Sequence, residues 1–280
     1  ISGSHAFTEK SLFLCFNRKF VVANESIRSG FALVAASCLN DIDTVVLAGG
    51  LGIRIKDALG DTPKLLASIG DIPFLDTIVN RLKLSGARRV ILGLGHLADR
   101  VVDYLETRPA DGLFTGIDII TEIEPEPLGT AGALRFVSPR IETDPVLVMN
   151  GDSFFDSDLC DFVRAHEKSG MIASILCARV EDTSRYGRVV ISPEGNIDAF
   201  LEKDPDLAGP GIINAGVYLF SGQMMKRIGG MEGPSLETDV FEALPAGTLH
   251  AVTSNGAFID IGTPEDLARA AEVLKPFSPA

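Results

Sequence analysis

The stretch Thr44 to Lys64, TVVLAGGLGIRIKDALGDTPK, decides the fold. Val45, Val46 and Leu47 form the short apolar run of a parallel strand buried on both faces. Ala48, Gly49, Gly50 and Gly52 follow at once. A glycine-rich turn after a strand lets backbone N–H groups approach an anion with no Cβ in the way. Arg54 comes two residues after the last glycine, and Pro63-Lys64 closes the stretch with a second cation. Backbone donors and two cations together suit a polyphosphate.

Two better-known phosphate loops do not fit. The dinucleotide fingerprint needs G-x-G-x-x-G and an acidic residue about 20 positions on, after a strand. Here Gly50-Leu51-Gly52 runs into Ile53-Arg54-Ile55, and Asp71 falls in the turn Gly70-Asp71-Ile72-Pro73. The P-loop needs Gly-Lys-Ser/Thr, and the chain has no Gly-Lys pair. A plain glycine loop with surface cations is the bland alternative.

Working outward, 280 residues with 46% hydrophobic content can bury a full core. A net charge of −13 argues against a nucleic-acid surface. It does not exclude anionic substrates, because a local cationic loop and a metal override net charge. No apolar run reaches the roughly 18 residues of a membrane span. Cys15, Cys38, Cys160 and Cys177 show no C-x-x-C spacing, so neither a zinc site nor a redox pair is indicated. In a chain of this length they read as reduced intracellular thiols. Residues 1–42 do not match the rest and read as an N-terminal appendage of unassigned role. Phe31 to Leu39, FALVAASCL, resembles a short signal core ending in a lipidation cysteine. It starts far from the N-terminus and has Ala35 where a lipobox has Leu.

From Thr44 onward strands and helices alternate. Leu75, Ile78, Val79 and Leu82 recur at helical spacing. Strands are expected at Arg89–Leu94, Ile117–Ile123 and Val146–Met149, with helices over Asp99–Leu105, Thr130–Phe136 and Leu159–Lys168. This alternation predicts an α/β fold with a parallel sheet and helices on both faces. After Ile172 short strands at Ile172–Val180, Arg188–Ile191, Ile197–Leu201 and Ala215–Phe220 imply a mixed sheet forming a lid or side wall. Strands at Leu249–Thr253 and Phe258–Ile261 follow. Thr263-Pro264-Glu265-Asp266 is a helix start with Thr263 as N-cap.

Asn150-Gly151-Asp152 follows a strand directly, and open α/β sheets bind ligands beyond strand carboxyl ends. Asp152 is therefore either a solvated turn residue or a Mg²⁺ ligand. Asp260 lies inside the apolar run Phe258 to Gly262, where a charge is costly unless paired or coordinated. Pro127-Leu128-Gly129-Thr130 is a second glycine turn opening a helix. Glu202-Lys203, Tyr186-Gly187 and Asn214 lie in the second half. Ser235-Leu236-Glu237 is the weakest of these signals, since it is also plain helix capping.

Taken in order, Gly50-x-Gly52-x-Arg54, Pro63-Lys64, Glu126-Pro127-Leu128-Gly129-Thr130, Asn150-Gly151-Asp152, Glu202-Lys203, Asn214-Ala215-Gly216 and Phe258 to Asp266 resemble the sugar-nucleotide pyrophosphorylases, a nucleotidyltransferase family. Ile53 stands where that family usually has Thr or Ser, which removes a hydroxyl donor at the loop. The resemblance implies a three-layer Rossmann-like, GT-A-like fold. It implies one domain over 43–275, with a nucleotide half about 43–170, a sugar half about 171–275 and a tail 276–280. It implies an NTP, GTP by the wording of the segments, and a heptose 1-phosphate as substrates, with mannose 1-phosphate or another hexose 1-phosphate as the alternative. Leu47, Ala48, Gly49, Gly50, Gly52, Pro127, Gly129 and Thr130 would meet the nucleotide. Tyr186, Gly187, Glu202, Lys203 and Asn214 would meet the sugar phosphate. Arg54 and Lys64 would serve catalysis, and Asp152 and Asp260 would hold Mg²⁺. The implied setting is cytoplasmic, without nucleic-acid or membrane partners, and the oligomeric state is open, a homo-oligomer among the alternatives. The rival from another class is a non-catalytic nucleotide-sugar-binding regulatory subunit, which would be expected to lose Arg54, Lys64 or a metal aspartate.

Overall fold

The computed structural model describes residues 37–109, 112–201, 209–277 and 279. Most of the FALVAASCL stretch, and Glu202-Lys203, lie outside the described residues. The elements in chain order are β1 (Thr44–Ala48), α1 (Lys56–Leu59), β2 (Ser68–Ile69), β3 (Ile72–Pro73), α2 (Phe74–Leu84), β4 (Arg89–Leu94) and α3 (Ala98–Glu106). They continue with β5 (Asp118–Ile123), α4 (Gly129–Val137), β6 (Val146–Asn150), β7 (Ser153–Phe155), α5 (Leu159–Ser169) and β8 (Ala173–Val180). The rest are β9 (Arg188–Ile191), β10 (Ile197–Leu201), β11 (Gly211–Phe220), α6 (Gly222–Gly229), a π-helical turn (Leu236–Phe241), β12 (His250–Ser254), β13 (Phe258–Asp260) and α7 (Pro264–Leu274).

β1 is central because its side chains are apolar on both faces. It pairs in parallel with β4 on one side and β6 on the other, and β5 runs parallel outside β4. The period-2 alternation of a strand sorts its residues between two cores. Val46, Leu147 and Met149 pack with α2, α3, α5 and α7 through residues such as Leu75, Val101, Phe162 and Leu274. Val45, Leu47 and Val148 pack on the other face with Leu134 of α4, Met224 of α6 and Val240 of the π turn.

The second half does not form a separate lid. β11 pairs antiparallel with β6, so β8, β9, β10 and β12 extend the same sheet to nine strands. A register shift between Asn214 and Val217 interrupts the β11–β8 ladder. Asn214-Ala215-Gly216 thus lies inside β11 at a bulge rather than at a strand start. Gly216 has φ +71, and a Cβ there would meet Asn150 Nδ2 at 2.8 Å. The short antiparallel pair of β7 and β13 was half-seen in the sequence: β7 follows Asp152 immediately, and Asp260 pairs with Ser153.

The reading of all four cysteines as reduced is corrected: Cys38 and Cys160 form a disulfide across a sequence separation of 122. The pairing depends on the turn at residues 38–40 meeting the start of α5, and spacing carries no trace of that contact. Cys177 is free and buried. Leu39, placed in the appendage by the sequence, is fully buried in the core beside Ile42, and its N–H donates to Ser85 O at 3.1 Å. Thr263 caps α7 as expected, accepting from Asp266 N–H.

Candidate active site

Beyond β1 the glycine segment is held from two sides. A Cβ on Gly95, after β4, would lie 2.6 Å from Gly49 O, so that turn touches the loop backbone directly. Gly151 N–H, after β6, donates to Leu47 O at 2.7 Å. Leu97, two residues after Gly95, has φ +60, a left-handed conformation that costs a leucine roughly 1–2 kcal/mol. It starts α3 and lines the cavity. That cavity, about 290 Å³, is also bounded by Leu47, Ala48, Gly49, Gly50, Gly52, Lys64, Glu124, Pro127, Gly129, Thr130, Asn150 and Asp152. All eight sequence-expected nucleotide residues lie on its wall. Ile53 is 74% exposed and does not line the cavity.

A second cavity, about 360 Å³, opens on the other flank of β6. Tyr186, Gly187, Asn214 and Asp260 line it, together with Phe200, Glu237 and Glu242, which the sequence reading had not placed there. Tyr186 meets Phe258 edge-on at 5.5 Å between ring centroids. Arg185 pairs with the buried Asp266 of α7 through both carboxylate oxygens, fixing the Tyr186 loop to the helix after β13. Asn150 and Asp152 border both cavities. The two pockets therefore meet at the end of one strand.

At that junction Lys64 Nζ donates to Asp152 Oδ2 at 2.8 Å. The β7–β13 register brings Asp260 beside Asp152, with Ile261 N–H donating to Asp152 O at 2.9 Å. Burial, then the Asp152 charge, pushes the Asp260 carboxyl up to about 6, with Lys64 and Arg54 opposing. A buried carboxyl facing a second carboxylate at a rim suits a cation between them. Arg54 lines neither cavity. Its Nη2 instead occupies the space over Gly262, 3.3 Å from where a Cβ would be, beside Asp260 Oδ1 at 3.1 Å from the same point. Among the described residues no group of three or more His, Cys, Asp or Glu could hold a metal; Asp152 and Asp260 are a pair. Mg²⁺ takes one or two carboxylates and fills its shell with water and phosphate oxygens, which a pair satisfies.

Glu124 was missed. It follows β5, is 7% exposed, and lines the first cavity. Leu128 N–H donates to its Oε2 at 3.1 Å, while Oε1 is buried without a partner. Burial raises its pKa, and the Leu128 N–H opposes. An acid at the carboxyl end of a parallel strand, just before the Pro125-Glu126-Pro127 turn, was the available signal.

The Nucleotidyl transferase family model matches residues 43–275, and the chain belongs to that family. It is 33% identical over 225 residues to D-glycero-alpha-D-manno-heptose 1-phosphate guanylyltransferase of Campylobacter jejuni, covering 80% of this chain and 96% of that one. It is 33% identical over 230 residues to mannose-1-phosphate guanylyltransferase catalytic subunit beta of Drosophila pseudoobscura pseudoobscura, covering 81% of this chain. The match spans only 61% of that longer relative. Among solved structures, HddC from Yersinia pseudotuberculosis complexed with GMP-PN superposes with a TM-score of 0.71 at 33% identity, covering 82% of this chain and 98% of that one.

Proposed function

We propose that the protein is a sugar-1-phosphate guanylyltransferase, joining GTP and a sugar 1-phosphate to give a GDP-sugar and pyrophosphate. The observation that carries this is the pair of cavities meeting at Asn150 and Asp152. One is walled by backbone and glycines, as a triphosphate requires, and the other by hydroxyl, amide and carboxylate side chains, as a polyol requires. Glu124 supports guanine in the first. Its unpartnered Oε1 and accepting Oε2 suit the N1–H and exocyclic amine of guanine, whereas adenine offers no such donor pair on one edge. The length of the match to the Campylobacter relative favours a heptose 1-phosphate, with mannose 1-phosphate as the alternative sugar.

The sugar phosphate is already an anionic nucleophile, so the attack on the α-phosphorus needs no general base. A new P–O bond forms as the bond to pyrophosphate breaks, and catalysis is positioning and charge stabilisation. Gly49 to Gly52 would cradle the triphosphate, and Lys64 would contact phosphate oxygens. Arg54, beside Asp260, would neutralise the departing pyrophosphate. Tyr186, Gly187 and Asn214, with Glu202-Lys203, would hold the sugar phosphate. Asp152 and Asp260 would hold Mg²⁺, which supplies charge neutralisation across the reacting phosphates. A cytoplasmic setting fits a GTP-consuming enzyme. A pyrophosphate-release screen of four NTPs against heptose and mannose 1-phosphates with Mg²⁺ tests the reading. GTP with one of these sugars should turn over fastest. Product with another base alone, or with none, would sink it.

A further inference from the structure

Beyond the residues assigned above, the π turn contributes a carboxylate that touches both halves of the site. Ser235 caps this turn by accepting from Glu237 and Thr238 N–H, and Glu237 lines the second cavity. Glu237 Oε1 accepts from the Tyr218 hydroxyl at 3.2 Å. Its Oε2 accepts from the Ser235 hydroxyl at 3.1 Å and the Thr130 hydroxyl at 3.3 Å. Thr130 belongs to the wall of the nucleotide cavity, while Glu237 lines the sugar cavity.

The links between the two turns are dense. Leu236 N–H donates to Thr130 Oγ1 at 2.8 Å, and Ala131 N–H to Pro234 O at 2.8 Å. Gly129 has φ +70, and a Cβ there would lie 2.5 Å from Pro234 O. On the sugar side the chain goes on: the Asn214 amide donates to the Tyr218 oxygen at 2.9 Å, and Asn214 Oδ1 accepts from Gly216 N–H at 2.8 Å. Burial, then the Glu237 charge, pushes the Tyr218 phenol upward, so it stays protonated and donates. A carboxylate has about four acceptor sites, and three donors are engaged here. Glu237 itself lines the second cavity, beside Tyr186, Asn214 and Ser153.

We propose that Glu237 is a positioning residue that couples the two substrates: it fixes the Gly129-Thr130 turn under the nucleotide and offers its remaining lone pair to a sugar hydroxyl. A sugar hydroxyl on Glu237 then orders the carboxylate that orders Thr130. Each ligand should thereby tighten the other, since coupling between sites is reciprocal. This rests on the reading of the cavities as nucleotide and sugar sites.

Calorimetry with Mg²⁺ and α,β-methylene-GTP, which cannot release pyrophosphate, tests it. The analogue is titrated with and without mannose 1-phosphate or the heptose 1-phosphate, whichever is turned over. Wild-type protein should bind the analogue about fivefold or more tightly when the sugar phosphate is present. Glu237→Ala should reduce this factor to about one, and the shape-conserving Glu237→Gln to below about twofold, with KM for the sugar phosphate rising in both. Asp239→Asn is the control. Asp239 accepts from Ser235 N–H at 2.7 Å in the same turn but lines neither cavity, so its loss should lower stability and leave the factor intact. Coupling that survives in both Glu237 variants, or that Asp239→Asn removes equally, overturns the proposal. Wild-type protein that binds neither ligand and makes no product overturns the reading of the site itself, and the proposal with it.

Discussion

The two cavities differ in what builds them. The nucleotide side is made from backbone at the carboxyl ends of parallel β1, β4, β5 and β6, and its longest wall is one unbroken run from Leu47 to Gly52. The sugar side is made from side chains on β10, β11, β13, a loop and the π turn, which antiparallel registers and one bulge bring together. A backbone cradle can be spelled in a few neighbouring letters, since it needs glycines at set intervals and little else. A side-chain cavity exists only once distant registers are fixed. The first is accordingly sensitive to added volume, and the second to loss of particular polar groups.

The largest expected effect falls where the two meet. Asp152→Asn and Asp260→Asn should each lower kcat about 10³-fold or more, a loss of several kcal/mol of transition-state stabilisation. Circular dichroism should show the fold intact. Near-normal turnover at low Mg²⁺ in either variant would break the junction as the catalytic centre.

The disulfide comes next, and it sharpens the comparison by touching neither cavity. Cys38→Ser should cost about 2–4 kcal/mol under oxidising conditions, the usual effect of opening a long loop. Steady-state kinetics should be unchanged. A reducing cytoplasm would keep the thiols apart, so thermal melts with and without dithiothreitol, beside intact mass, read out which state the protein holds. A melt indifferent to reductant in wild type shows the pair is not a staple.

Added volume should discriminate within the backbone cradle. Gly95→Ala places a Cβ 2.6 Å from Gly49 O and 2.8 Å from its Cα, and backbone cannot yield cheaply, so about 1–3 kcal/mol of stability should go. Gly50→Ala meets nothing within 4 Å. It should leave the melting temperature alone and raise KM for the nucleotide by crowding the phosphates. If Gly50→Ala is silent in kinetics as well, the loop is not a cradle.

Glu124→Gln is the smallest effect and the one that asks whether the backbone-walled cavity also reads a side-chain code. Preference for GTP over ATP should fall about 10- to 100-fold, the worth of one good bidentate base contact. ITP, which lacks the exocyclic amine, should lose less than GTP. Equal losses for all three nucleotides would assign Glu124 to the architecture of the turn alone.

Legibility followed the same divide. Val45-Val46-Leu47 with the following glycines placed β1 and its loop because strand burial and φ freedom are local properties. Thr263-Pro264 gave the start of α7 for the same reason. The meeting of Asp152 with Asp260 was reachable only through resemblance, since it depends on the Ser153–Asp260 register of a three-residue strand too short to announce itself. Glu237 looked like an ordinary cap because its partners Thr130 and Tyr218 lie 107 and 19 residues away. Glu124 was hidden by alternation with Glu122 on a half-exposed strand. Cys38 and Cys160 gave no signal at all.

The sheet that carries both cavities passes from β1 through β6 to β11 with continuous pairing on each side of β6. Two lobes joined this way cannot swing like jaws, for a hinge at β6 would have to tear a ladder. Motion during turnover is therefore expected at the rim. The segment around Leu51 and Ile53, whose apolar side chains are 44% and 74% exposed, is where ligand-linked closure is expected. Amide exchange should be slowest along β1, β6 and β11 whether or not substrate is present, and ligand protection should appear in residues 50–54, not between the halves.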